Sequence, residues 1–142
     1  MEFDRMISDL FADEDRARGM AKQLMELAKR DQAAAAREKD GLLEFLRGAM
    51  ERHMVYEEKE LFPLLIKHEL GAEVEVAIKH HASIREEADN LAKATTVEGI
   101  AQAIFFAARI MLHHTNFEGD YIYPELSREE WRALMQETTG KK

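Results

Sequence analysis

The stretch His53-Met54-Val55-Tyr56-Glu57-Glu58-Lys59-Glu60-Leu61-Phe62-Pro63 decides the fold, because it returns as His114-Thr115-Asn116-Phe117-Glu118-Gly119-Asp120-Tyr121-Ile122-Tyr123-Pro124. Both copies place a glutamate four residues after the histidine, an aromatic residue nine after it and a proline ten after it. Residues four apart lie on one face of an α-helix, with Cβ atoms about 5–6 Å apart. Each copy therefore presents an imidazole and a carboxylate side by side. Pro63 is expected to kink its helix or to restart it for one final turn.

Outward from these copies, apolar residues recur at three-and-four spacing, the helical period. The seams read Phe3, Ile7, Leu10, Glu14, Ala17, Ala21, Leu24, Ala28; then Leu46, Met50, His53, Glu57, Glu60, Leu64; then Val74, Ala77, His81, Ile84, Ala88, Leu91; then Ile100, Ile104, Ala107, Met111, His114, Glu118, Tyr121. Narrow stripes of this kind are what helices of a bundle need. The first and third seams also align, with Leu10, Glu14, Ala17, Ala21 and Leu24 opposite Ala77, His81, Ile84, Ala88 and Leu91. The chain thus reads as two related helical hairpins. The expected fold is all-α, an up-and-down four-helix bundle with a short extra C-terminal helix.

Helix boundaries are unevenly marked. His68-Glu69-Leu70-Gly71 has the form of a helix end with glycine just past it. Thr95 with Glu98 forms a capping box for the fourth helix, and Ser127-Arg128-Glu129-Glu130 offers another for the C-terminal helix carrying Trp131 and Leu134. The first connection falls between Lys29 and Gly41, with Asp40-Gly41 as a possible turn.

The 142 residues suit one domain, assigned to 1–138 with a frayed tail over 139–142. Two prolines and seven glycines are too little punctuation for an all-β fold. Net charge is −8 and no Lys/Arg cluster forms a basic face, so nucleic acid is not an expected partner. No apolar run is long enough for a membrane span. The absence of cysteine excludes disulfides, iron–sulfur ligation and thiol catalysis. Met1 to Leu10 lacks the order of a signal peptide, so the expected location is cytoplasmic.

The chemistry lies in polar residues on seams that should face the core: Glu14, His53, Glu57, His81, His114 and Glu118. A buried carboxylate costs several kcal/mol (about 3–5 when left unpaired) unless it is paired or binds a metal. Mixed nitrogen and oxygen donors suit iron, manganese or zinc. Glu60, one turn beyond Glu57, is a further candidate ligand. Glu58 and Asp120 flank the seam and read as solvated, Asp120 with the option of a hydrogen bond to a ligand imidazole. His80 and His113 each precede a seam histidine, about 100° around the helix, and read as partly exposed neighbours. His68 reads as a partner of a helix C-terminus, and the methionines as core filler. Tyr121 lies on the seam, for packing or for a hydrogen bond to a bound ligand.

At this point the sequence resembles the hemerythrin-like, HHE cation-binding family. The resemblance rests on His53-x-x-x-Glu57 followed by Leu61-Phe62-Pro63, on His81-Ala82-Ser83-Ile84-Arg85, and on His114-x-x-x-Glu118 followed by Ile122-Tyr123-Pro124. It covers about Ile7 to Pro124. It implies a non-haem centre of two iron ions, bridged by the two carboxylates and an oxo or hydroxo group, on His53, Glu57, His81, His114 and Glu118.

Two departures stand out. The first helix of such domains usually supplies a histidine, whereas Phe11-Ala12-Asp13-Glu14-Asp15-Arg16 contains none. Glu14 takes the seam position, with Asp13 or Asp15 as substitutes should the register differ by one. Oxygen carriers also place two histidines four apart on the third helix, where Ala77 and Arg85 flank His81 here. The expected set is three histidines and three carboxylates. Anionic oxygen donors favour the ferric state, so a lower reduction potential and poorer reversible dioxygen binding are expected. The leading functional expectation is a module binding dioxygen, nitric oxide or iron for sensing, storage or delivery. The alternatives are a di-iron enzyme acting on peroxide, dioxygen or nitric oxide, and a purely structural metal staple.

Overall fold

The computed structural model of the chain describes residues 2–122, with side chains described at 12 and from 14 onward. The C-terminal helix expected at Ser127 and the frayed tail lie outside the described residues. Those described are helical throughout, apart from short connections. The elements are α1 (Glu2–Arg30), α2 (Gln32–Ala36), α3 (Lys39–Arg47), α4 (Ala49–Tyr56), a π-helical turn (Glu57–Leu61), α5 (Phe62–Lys67), α6 (Gly71–Lys93), α7 (Val97–Phe117) and a second π-helical turn (Glu118–Ile122). The fold is an all-α bundle in which α1 and α6 pack on α7, α2 packs on α1 and α7, and α3 packs on α6. No helix among the described residues is long and apolar enough to cross a membrane.

The core divides into two main apolar clusters. One gathers Ala17, Ala21, Leu24, Leu46, Met50, Met54, Ile84, Leu91, Ile104 and Met111, among others. The small alanines of α1 and α7 let those helices approach closely, while each large side chain buried beside them contributes about 1.5–3 kcal/mol. The other gathers Leu61, Phe62, Leu64, Leu65, Leu70, Val74, Ala77 and Ile122. Along α4–α5, α6 and α7, the seam residues between these clusters are Glu57, His81, His114 and Glu118. Along these stretches the polar layer lies between hydrocarbon on both sides.

The two π turns explain the seam positions that the periodicity misplaces. In the first, the Phe62 N–H donates to the Glu57 carbonyl five residues back rather than four. The extra residue delays the next inward position. Leu61 is buried and Glu60 exposed after Glu57, and Ile122 is buried and Tyr121 57% exposed after Glu118. Glu60 and Tyr121 are accordingly corrected from seam to surface. The disturbance precedes Pro63 and lies in its preceding turn, where α5 restarts with the proline in its first turn. π turns of this kind occur frequently at functional sites.

Four boundaries also differ from expectation. The second helical stretch breaks at Gly48, where a Cβ would lie 2.7 Å from the Glu44 carbonyl oxygen. Asp40-Gly41 is not a turn; both residues lie in the first turn of α3, and α1 ends instead at Asp31, whose carboxylate caps α2 through the Ala34 N–H at 3.0 Å. Thr96, not Thr95, caps α7, accepting from the Gly99 N–H at 3.0 Å. Gly71 opens α6 rather than closing α5. The left-handed position after α5 is Glu69, with φ 68°.

Glu69 completes a Schellman turn: Leu70 N–H donates to Leu65 C=O and Glu69 N–H to Ile66 C=O, while Leu70 is buried. A side chain in that conformation costs about 1–2 kcal/mol. Because Glu69 is exposed, Glu69→Gly should stabilise the protein by roughly 1 kcal/mol, net of the entropy that glycine adds to the unfolded chain. Chemical denaturation of the metal-free protein measures this, and an unchanged midpoint would contradict it.

Candidate metal centre

Each polar group of the central layer is carried inward by a helix whose neighbouring turns bury apolar residues. Ala17 and Ala21 follow Glu14 on α1. Met50 and Met54 bracket His53. Ala77 and Ile84 bracket His81, and Met111 precedes His114. Glu14, His53, Glu57, His81, His114 and Glu118 are all at least nine-tenths buried, and Glu57, His81, His114 and Glu118 wholly so. The packing of α1, α4, α6 and α7 brings the six together.

Two overlapping groups result. Glu57, His81, His114 and Glu118 offer ligand atoms within 4.8 Å of one another, and so do Glu14, His53, Glu57 and Glu118. Glu57 and Glu118 belong to both. Glu57 turns one oxygen to each side, with Oε2 3.2 Å from His53 Nε2 and Oε1 3.1 Å from His81 Nε2. His53 Nε2 also lies 3.3 Å from Glu14 Oε2, and His114 Nε2 lies 3.4 Å from Glu118 Oε2.

A buttress fixes His81 from behind. Its Nδ1 lies 2.7 Å from Glu58 Oε2. Glu58 is held in turn by Arg85, whose Nη1 donates at 2.9 Å, and Arg85 is held by Glu51 through Nε and Nη2 at 3.0 and 3.1 Å. Burial works against ionising Glu58, but hydrogen bonds from Arg85 and His81 outweigh it and hold its carboxyl below the usual range. An ionised carboxylate only accepts, so His81 donates through Nδ1–H. The other ring nitrogen, Nε2, faces the Glu57 carboxylate at 3.1 Å, where an N–H would donate to it and a lone pair would be free for a cation. Phe62 stacks on the same ring, with centroids 5.4 Å apart.

The charges are strongly coupled. Burial pulls His53 down, yet the Glu57 carboxylate, together with hydrogen bonding to Glu14 and Glu57, raises it to about 10. Burial likewise opposes ionisation of Glu57, but His53, with help from His81 and His114, drives it well below the carboxylate range. Burial takes His114 down to about 3, against the pull of Glu57. Glu118 is pushed well above its ordinary value by burial, then by the Glu57 and Glu14 carboxylates. His114 Nε2 and both Glu118 oxygens are buried and face each other and the Glu14 and Glu57 carboxylates rather than water. Hard, anionic and imidazole donors left in this state fit a bound transition-metal ion.

The surroundings depart from the sequence reading in several places. Glu60 is exposed and stands in neither group, because the first π turn rotates it away. Asp15 is exposed and pairs with Arg18 at 2.7 Å, while the side chain of Asp13 lies outside the described residues. Glu58, expected to be solvated, braces His81, and Asp120, the candidate for such a bond, is exposed. His80, expected to be a partly exposed neighbour, is buried, with Nδ1 3.1 Å from His114 Nδ1. Its signal was present in the sequence: His80 follows Ala77 by three and precedes Ile84 by four, so a wider stripe includes it. His113 is exposed. On the far side of the second π turn, Arg18 Nη1 donates to the Thr115 carbonyl at 3.3 Å and lies 3.9 Å from where a Cβ on Gly119 would stand.

A family model described as the Hemerythrin HHE cation binding domain matches residues 5–126. No curated protein matches the sequence, and no solved structure does.

Proposed function

The chain belongs to the hemerythrin HHE cation-binding domain family, and from that premise we propose that it holds two metal ions, iron foremost, as a module for a small diatomic ligand. The observation that carries this reading is the sharing of Glu57 and Glu118 by two four-residue groups. One position is formed by Glu57, His81, His114 and Glu118, the other by Glu14, His53, Glu57 and Glu118. Carboxylates with one oxygen available to each side are the natural bridges of dinuclear sites in helix bundles. Four protein donors per ion leave room in a six-coordinate shell for an exchangeable ligand.

Bound iron would supply one-electron redox chemistry and an open position for dioxygen or nitric oxide. The protein's part is to hold, orient and shield. Glu58 and Arg85 keep His81 in one tautomer, and the apolar clusters on both sides keep bulk water from the carboxylates. Turnover of peroxide, dioxygen or nitric oxide is the second reading, supported by the carboxylate Glu14 in place of an imidazole.

Metal analysis of protein purified without added metal should find about two ions per chain, mainly iron, as expected for a two-metal carboxylate site. A folded protein with no metal, even after reconstitution, would sink the proposal. Azide added to the ferric form should shift a visible charge-transfer band. An unresponsive spectrum would favour a closed, structural site, and steady consumption of peroxide would favour the enzyme.

A further inference from the structure

His80 is buried beside the site yet belongs to neither four-residue group. Its Nδ1 lies 3.1 Å from His114 Nδ1. Its ring is held by edge contacts to Phe117 at 5.2 Å and 87° and to His113 at 4.9 Å and 67°. We infer that His80 is a positioning residue for His114, accepting a hydrogen bond from His114 Nδ1–H and so aiming the His114 Nε2 lone pair at the Glu57–Glu118 side. The inference rests on the metal reading above.

Proton placement decides the roles of the two rings. A neutral imidazole has one N–H and one lone pair. A metal at Nε2 requires the proton on Nδ1, and a buried N–H needs an acceptor. His80 Nδ1 is at the right distance to accept, which places its own proton on Nε2. Histidine ligands generally need such an outer partner to fix tautomer and ring angle.

The two imidazoles of one position are therefore braced differently. His81 leans on Glu58, a carboxylate anchored by Arg85. His114 leans on another imidazole. A carboxylate raises the basicity of the ring that it braces, whereas a neutral ring chiefly fixes direction. α6 thus supplies a candidate ligand, His81, and in the preceding residue the brace for a candidate ligand on α7.

Zinc serves as a diamagnetic probe. Its affinity is measured by chelator competition in wild type, His80→Ala, His80→Leu and His80→Asn, with the metal-free fold of each checked by circular dichroism. Asparagine Oδ1 stands near the place of the lost Nδ1 and can accept, while leucine restores bulk alone. His80→Ala and His80→Leu should bind zinc about 10–100-fold more weakly, and His80→Asn should recover most of the loss. In zinc-loaded wild type, nitrogen NMR should find His114 protonated at Nδ1, with its signal lost or shifted in His80→Leu. Equal affinities in all four proteins, or recovery by leucine as full as by asparagine, would overturn the role of His80. Failure of wild type itself to bind zinc or iron would overturn the metal reading and this inference with it.

Discussion

Glu57→Gln should empty both metal positions, because this one carboxylate faces His53 through one oxygen and His81 through the other. His53→Ala and His114→Ala should each lose most of the bound metal as well, each acting on its own group. His113→Ala should lose little, since that ring is exposed and reaches the centre through an edge contact with His80 rather than directly. Metal content per chain measures all four. The metal-free protein should suffer too. Removing one charge from a buried pair costs about 3–5 kcal/mol, and Glu57→Gln leaves the protonated His53 with less compensation. Chemical denaturation of metal-free wild type and variant gives that difference. Retention of two ions by Glu57→Gln would end the shared-carboxylate reading, and equal losses in His113→Ala would put the helix register of the site in error.

Metal loading at neutral pH should release about one proton per chain or more, because ligands must be deprotonated to bind. One comes from His53, raised to about 10 in the metal-free protein. Glu118, pushed above its ordinary value by burial and by the neighbouring carboxylates, acts in the same direction. Calorimetric titrations with zinc in buffers of different ionisation enthalpy count these protons. A count near zero would mean that the metal-free site is already deprotonated.

Two buried histidines, His53 and His114, give the metal-free fold opposite pH dependences. The folded value of His53 is raised, so its stabilising contribution is complete below its ordinary value of 6.5 and is lost as pH rises toward about 10. His114 has the opposite sign. Its contribution is present above 6.5 and is lost as pH falls toward about 3. Metal-free stability should therefore fall on both sides of neutrality, whereas metal affinity should climb through the alkaline limb. Denaturation midpoints across that range check the prediction.

The sequence carried the inward positions well wherever helical period alone decides them. Glu14, His53, Glu57, His81, His114 and Glu118 all lie on seams, and the packing brings them together. Period cannot register a π turn, because one added residue leaves no mark in composition. That is why Glu60 and Tyr121 read as inward and Leu61 and Ile122 did not. Thr95 and Thr96 are both good helix caps, and the choice between them depends on where α6 ends. Glu69 adopts a conformation in which glycine is the usual residue, so Gly71 drew the helix end two residues late. Glu58 and His80 look peripheral in the sequence for one common reason. Their roles depend on the neighbouring helix that each meets, Glu58 reaching α6 and His80 reaching α7, and a single helix considered alone does not contain that information.

The brace behind His81 has no mirror image on the other side of the molecule. In the internal repeat, Arg18 follows Glu14 as Arg85 follows His81, and Gly119 stands where the first copy has Glu58. Arg18 accordingly lies beside Gly119 but finds no carboxylate there, and it turns to the Thr115 carbonyl and Asp15. The two absences compensate each other. An imidazole at position 14 would need an acceptor at position 119 to set its tautomer. A carboxylate at 14 has no tautomer to set, and a second acid at 119 would only repel it. Glutamate at 14 and glycine at 119 therefore form a matched pair, and restoring histidine on the first helix alone would leave that side of the centre without its hinge.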